Sequence, residues 1–213
     1  MSFRWKIAQW FELRWWQNYL AGKNPAQYRQ WKTEWWQKNV LQHVRVNAAD
    51  TIADLGCGPA GIFMALPNNP ITAVDPLLNN YIANQFLKPT DFPNVQFVNQ
   101  RLEDFNAPEK FDLVFCLNCI NHVTDIEKCF DVLLNCCKPG GRVIVSIDAH
   151  NHSFFKHLFR LIPGDILHPH QYNLNEYRTF LEKRNLSITA QHTIKEEFFF
   201  NHILLIAEKK SLH

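Results

Sequence analysis

Between residues 51 and 148 short apolar runs recur along the chain: TIADL, ITAVD, VQFV, FDLVFCL and RVIVSID. Runs of this length are strands, and the polar or periodic stretches between them are long enough for helices and crossovers. That alternation predicts a parallel sheet covered on both faces. Two later runs, LSITAQHTI and FFFNHILLIAEKK, leave no room for a helix between them. They predict an antiparallel hairpin at the sheet edge. Helices are expected at 3–20, from Pro25 to about His43 behind an Asn24 cap, and from Leu77 to Leu87. Two more are expected, from a Thr124–Glu127 capping box to about Cys137 and over 175–183. Lys138-Pro139-Gly140-Gly141 reads as a turn.

Composition narrows the classes. With 213 residues, 46% hydrophobic and 20% charged, the chain is made like a globular domain and not like a disordered one. No apolar run reaches the length of a bilayer span, and MSFRWKIAQW lacks the apolar core of a secretory signal. Six cysteines without such a signal imply reduced thiols and a cytoplasmic setting. The net charge of +2 hides an asymmetry, because residues 1–45 alone carry +6. All seven tryptophans lie in that stretch too. Residues 1–45 therefore read as a basic, aromatic helical segment ahead of a mildly acidic domain over 46–213.

The most informative motif is ADLGCGPAG at 53–61. A strand ends in a turn where Gly56 and Gly58 permit positive φ and close approach of backbone to a ligand. A helix beginning there would present its free N–H groups. Asp75 ends the next strand, about twenty residues on, where an acid can accept both hydroxyls of a ribose.

These residues together resemble the class I S-adenosylmethionine-dependent methyltransferases, of the small-molecule group that includes quinone C-methyltransferases. The likeness covers about residues 47–208. The family's acid-x-G-x-G-x-G motif is matched by Asp54, Gly56 and Gly58, with Ala60 at the third glycine and Gly61 beside it. CINHV at 119–123 and the Lys-Pro-Gly-Gly turn at 138–141 are further family features. The resemblance implies a Rossmann-like, doubly wound, mostly parallel seven-stranded sheet with an antiparallel last strand and N-terminal lid helices. It implies S-adenosyl-L-methionine as cofactor, held by Asp54, Gly56, Cys57, Gly58, Asp75, Pro76, Leu102, Glu103, Cys116 and Leu117. Arg101 stands where relatives place the Asp that binds the adenine amino group, so that contact is expected to move to Glu103, Asp104 or the backbone near Leu102.

Methyl transfer is an in-line displacement that needs orientation above all, and a base only for a weakly nucleophilic acceptor. Histidines are the candidate bases: His170 first, in the stiff His168-Pro169-His170 turn, then His150 with His152, then His122. No metal is expected, because the His-x-His and His-Pro-His spacings lack an accompanying carboxylate cluster. Cys116-Leu117-Asn118-Cys119 has no second pair to complete a zinc site. The tryptophan-rich front admits three roles: packing as a lid over cofactor and acceptor, attachment to a membrane surface, or nucleic-acid binding. The last is disfavoured by a nearly neutral chain without a recognised binding motif. The expected partner is a small-molecule methyl acceptor. The alternatives are a lipid or quinone methyltransferase at a membrane surface and a non-catalytic cofactor-binding protein.

Overall fold

The computed structural model describes residues 3–150, 172–198 and 200–211. Among these residues seven strands form one sheet: β1 (Ile52–Leu55), β2 (Ile71–Val74), β3 (Val95–Val98), β4 (Phe111–Leu117), β5 (Cys137–His150), β6 (Leu186–Glu196) and β7 (Phe200–Lys209). Their order is β3-β2-β1-β4-β5-β7-β6. Every neighbouring pair from β3 to β5 is parallel, whereas β7 runs antiparallel to both β5 and β6. The hairpin expected from LSITAQHTI and FFFNHILLIAEKK is therefore present, with β6 as the edge. The strand order reverses between β1 and β4, so a crevice opens at the carboxyl ends of those two strands.

Among the described residues five α-helices flank the sheet: α1 (Phe3–Leu20), α2 (Pro25–Asn39), α3 (Leu78–Ala83), α4 (Ile126–Cys136) and α5 (Leu174–Glu182). Two apolar clusters sandwich the strands. One gathers α4 and α5 through Phe130, Leu133, Tyr177 and Leu181. The other gathers α2 and α3 through Trp36, Val40, Leu78 and Tyr81. Because β1 and β2 are buried along their whole length, they can carry apolar residues on both faces, as their sequences do.

Several local expectations are corrected. The glycine turn is not followed by an α-helix but by a single 3-10 turn at Ile62–Ala65. Pro67 explains this, because a residue before proline is driven out of the helical region; Leu66 sits at φ −127°, ψ 65°. α2 covers the place left by that missing helix. Trp36 Nε1 donates to the Ala60 carbonyl at 3.0 Å, and Thr33 Oγ1 to that of Met64 at 3.4 Å.

α2 itself stops at Asn39, with a 3-10 turn at Leu41–His43, although the Asn24 cap and Pro25 start hold. α3 is shorter than 77–87, ending before Gln85 enters positive φ. The cap of α4 is Asp125, whose side chain accepts from the Lys128 N–H; Thr124 gives its N–H to Glu103 instead. Lys138–Gly141 is a bulge inside β5, with a register shift opposite Phe111/Leu113 and Gly140 at φ +73°.

Candidate functional site

A cavity of about 490 Å³ lies over the carboxyl ends of β1, β2, β4 and β5. That volume falls within the range of small-molecule sites, about 300–1,000 Å³. Its floor is the glycine turn. Gly56 and Gly58 have φ of +74° and +56°, and a Cβ on Gly56 would stand 2.1 Å from Cys119 Sγ. Only glycine lets the β1 turn pass so close to the loop after β4.

Asp75 fastens the turn. Its Oδ2 accepts the Gly58 N–H at 3.0 Å and its Oδ1 accepts that of Leu77 at 2.8 Å. Burial raises its pKa to about 6, against the opposing effect of those two N–H groups. Each oxygen keeps a second lone pair for a ligand hydroxyl.

Of the residues expected to hold the cofactor, Gly56, Cys57, Gly58, Asp75, Pro76, Leu102, Glu103 and Leu117 all border this cavity. Asp54 and Cys116 do not. Asp54 is buried behind the turn, where its Oδ2 accepts the Phe63 N–H at 3.3 Å, and burial raises its pKa to about 7. Its place is to hold the 3-10 turn; a Cβ on Gly61 would come within 2.2 Å of the same oxygen. Cys116 is a buried thiol in β4. Glu103 Oε1 accepts the Thr124 N–H at 2.8 Å, which ties the loop after β3 to the loop after β4. Arg101 forms a two-point pair with Asp104, through Nε at 2.7 Å and Nη2 at 3.0 Å. Of the two acids considered for the adenine, Glu103 is thus the one at the cavity.

His122 is an exposed residue at the cavity rim. His150 ends β5. His152, His168 and His170 lie outside the described residues. Among the described residues no group of three or more His, Cys, Asp or Glu could hold a metal, and no helix is long and apolar enough to cross a membrane.

Three charged residues of the wall escaped the sequence reading: Glu12 on α1, Lys32 on α2 and Asp148 on β5. Glu12 Oε1 accepts the Tyr81 hydroxyl at 3.3 Å, and burial, helped by the Asp75 charge, raises its pKa to about 7. Lys32 Nζ stands 4.2 Å from the Trp36 ring centre, and burial lowers its pKa to about 8. Asp148 is paired across the sheet with His202 and contacts its Nδ1 as an ion pair. That carboxylate is the main cause of a raised His202 pKa. Glu12 and Lys32 were detectable only as charges set among tryptophans; nothing in RVIVSID singled out its Asp.

The donor set suits S-adenosylmethionine. Carboxylates match its hydroxyls and sulfonium, Lys32 matches its carboxylate, and aromatic walls match a cation and a flat base.

Comparison with known proteins agrees. A family model described as a methyltransferase domain matches residues 53–145. The chain is 25% identical over 171 residues to a ubiquinone biosynthesis O-methyltransferase of Rickettsia prowazekii, covering 70% of this chain and 67% of that protein. With the protein of the same name from Rickettsia felis it shares 28% identity over 97 residues, 45% of this chain and 40% of the relative. The matched region thus spans from two fifths to about two thirds of these relatives.

Among solved structures, a 1,6-didemethyltoxoflavin-N1-methyltransferase of Burkholderia thailandensis, with S-adenosylhomocysteine bound, superposes with a TM-score of 0.64. It is 13% identical and covers 99% of this chain and 92% of its own. A geranyl diphosphate C-methyltransferase of Streptomyces coelicolor gives a TM-score of 0.65 at 13% identity, over 84% of this chain and 79% of its own. The order of the strands, the glycine turn with its acid, and the matched domain agree in one conclusion: the chain carries a class I S-adenosylmethionine-dependent methyltransferase domain.

Proposed function

We propose that the chain transfers the methyl group of S-adenosylmethionine to an oxygen of a small, hydroxylated, flat acceptor. The observation that carries this reading is the lining of the cavity. The glycine turn, Asp75 and Glu103 share it with the aromatic rings of Trp15, Trp16 and Tyr19 on α1 and with Asp148. The oxygen acceptor named in the curated relatives supports the choice of atom. A methyl carried as a sulfonium supplies the electrophile. The chain's residues then hold the nucleophile in line and exclude water. As the O–C bond forms, the S–C electron pair stays on sulfur and the hydroxyl proton goes to a base at the wall.

Among the described residues Asp148 is the best placed for that proton, with His122 next at the rim. In this reading α1 is the covering part of the lid, and α2, with Trp36 and Val40 in the core, is its anchor. Incubation with S-adenosylmethionine and a panel of catechols and hydroxyquinones tests it. Formation of S-adenosylhomocysteine with stoichiometric methyl ether is expected. Cofactor binding without turnover on any oxygen, nitrogen or carbon acceptor would instead support a non-catalytic binding protein.

A second reading, that the acceptor is lipophilic and met at a membrane, is favoured by an aromatic ridge. Stacked Trp15 and Tyr19 continue through Tyr28 to Trp31, with centroid separations of 4.8, 6.0 and 5.8 Å. Trp15 and Trp31 are exposed, as are Trp10 and Phe11 on α1. Lys23 Nζ lies 3.5 Å from the Tyr19 ring centre, and Arg14 lies beside Trp10. Exposed rings with cations suit an anionic lipid surface. Sedimentation with phosphatidylglycerol vesicles should capture the protein, and phosphatidylcholine alone should not. Trp10→Ala with Trp31→Ala should release it. Equal recovery in the supernatant with both lipids would remove this reading.

A further inference from the structure

Glu12 is an acid in the middle of an aromatic helix, and α1 turns it inward. Its carboxylate borders the cavity beside Asp75 and accepts the hydroxyl of Tyr81, a residue buried in α3. One turn further along α1, Trp16 packs edge-on to Tyr81 with centroids 6.4 Å apart. A ring carbon of Trp16 would meet a Cβ on Gly58 at 3.8 Å. Helix α1 therefore sits directly over the glycine turn, and Glu12 is its charged contact with the space beneath, beside the amide of Gln9.

Two carboxylates sharing one desolvated cavity repel each other, and each resists ionisation there. Tyr81 and Trp16 each offer Glu12 one donor, and Asp75 already takes two backbone N–H groups. A ligand that suits the pair brings further O–H donors between them. The vicinal hydroxyls of a ribose are such donors, and Asp75 stands at the strand end where a ribose is held.

We infer that Glu12 is a second ribose ligand: one cofactor hydroxyl is taken by Asp75 and its neighbour by Glu12. The inference rests on the cofactor assignment of the cavity. It goes beyond it in making cofactor binding the event that fastens the covering helix. Cofactor then precedes acceptor, because a seated ribose holds α1 in the position where Trp15 and Trp16 form the acceptor wall.

Titration calorimetry with S-adenosylhomocysteine, and with its analogue lacking both ribose hydroxyls, tests the inference on the full chain. Glu12→Gln should weaken S-adenosylhomocysteine binding about tenfold, the scale of one hydrogen bond to a charged group. The same substitution should leave the weaker binding of the dideoxy analogue unchanged. Without cofactor, Glu12→Gln should melt no lower than the wild type, since it removes a buried like-charge contact. Glu12→Asp, which keeps the charge and shortens the reach, should also lose affinity for S-adenosylhomocysteine alone. Wild-type affinity in both variants, or equal losses for both ligands, overturns the role of Glu12 and leaves the cofactor assignment standing. A wild-type protein that binds neither ligand overturns both.

Discussion

Asp75 reaches back across the turn from the end of β2 to accept the Gly58 N–H at 3.0 Å. One side chain thus shapes the glycine turn and faces the cavity the turn helps to line. Asp75→Ala should leave two inward N–H groups without their acceptor, a loss of about 1–3 kcal/mol for each group that water does not reach. It should also weaken S-adenosylhomocysteine at least about tenfold, on the scale of hydrogen bonds to charged groups. Calorimetry and thermal melting check the two effects. Unchanged affinity in a folded variant would remove Asp75 from the site.

Gly56→Ala meets two separate obstacles. Its φ of +74° disfavours any side chain, and the new Cβ would lie 2.1 Å from Cys119 Sγ and 2.5 Å from Cys119 Cβ. Left-handed strain and overpacking each cost about 1–3 kcal/mol, so a large fall in melting temperature is expected. Cys119→Ala should rescue it poorly, because Cβ of residue 119 remains in the way. Full recovery in the double variant would show that the thiol alone sets the approach.

The sheet was legible because its strands are short apolar runs between strong punctuators, and the cofactor floor because glycine and acid spacing follows from strand geometry. What the sequence concealed depended on tertiary placement. The absent helix after Gly58 turns on Pro67 ending a segment that otherwise reads as apolar and helical. Its substitute, α2, comes from a stretch whose tryptophans favour packing by composition but also admit a membrane role, so the sequence alone did not place it there. Glu12 and Asp148 carry no local signature; only the fold sets them against Asp75 and His202.

The buried acids give a pH dependence whose sign is set by their raised values. Asp54 and Glu12 titrate near 7 and Asp75 near 6, all above the ordinary carboxylate range of about 4. The folded chain therefore holds more protons than the unfolded chain between pH 4 and 7, so cofactor-free stability should fall as pH rises through that window. Lys32, lowered to about 8, acts in the opposite sense only above pH 8. Melting curves at pH 5, 6, 7 and 8 test this. Asp54→Asn, which retains an acceptor for the Phe63 N–H, should flatten the decline. A melting temperature that rises from pH 5 to 7 would contradict the assignment.

Asp148 and His202 supply the last prediction. They face each other across β5 and β7, with Asp148 at the cavity and His202 behind it. Glu197 Oε1 stands 3.9 Å from the opposite ring nitrogen, so the imidazole lies between two carboxylates. The raised His202 pKa means that the charged pair is intact below the ordinary histidine value and is lost as pH climbs through the folded one. If Asp148 receives the acceptor proton, Asp148→Asn should lower kcat on the order of 10²-fold and leave cofactor affinity unchanged. His202→Gln should act differently, by removing the alkaline step from the pH profile of turnover while retaining part of the rate at low pH. Wild-type kcat in Asp148→Asn would exclude it as proton acceptor and direct the search to His122 at the rim. A fall in cofactor affinity equal to the fall in kcat would assign Asp148 to cofactor binding instead.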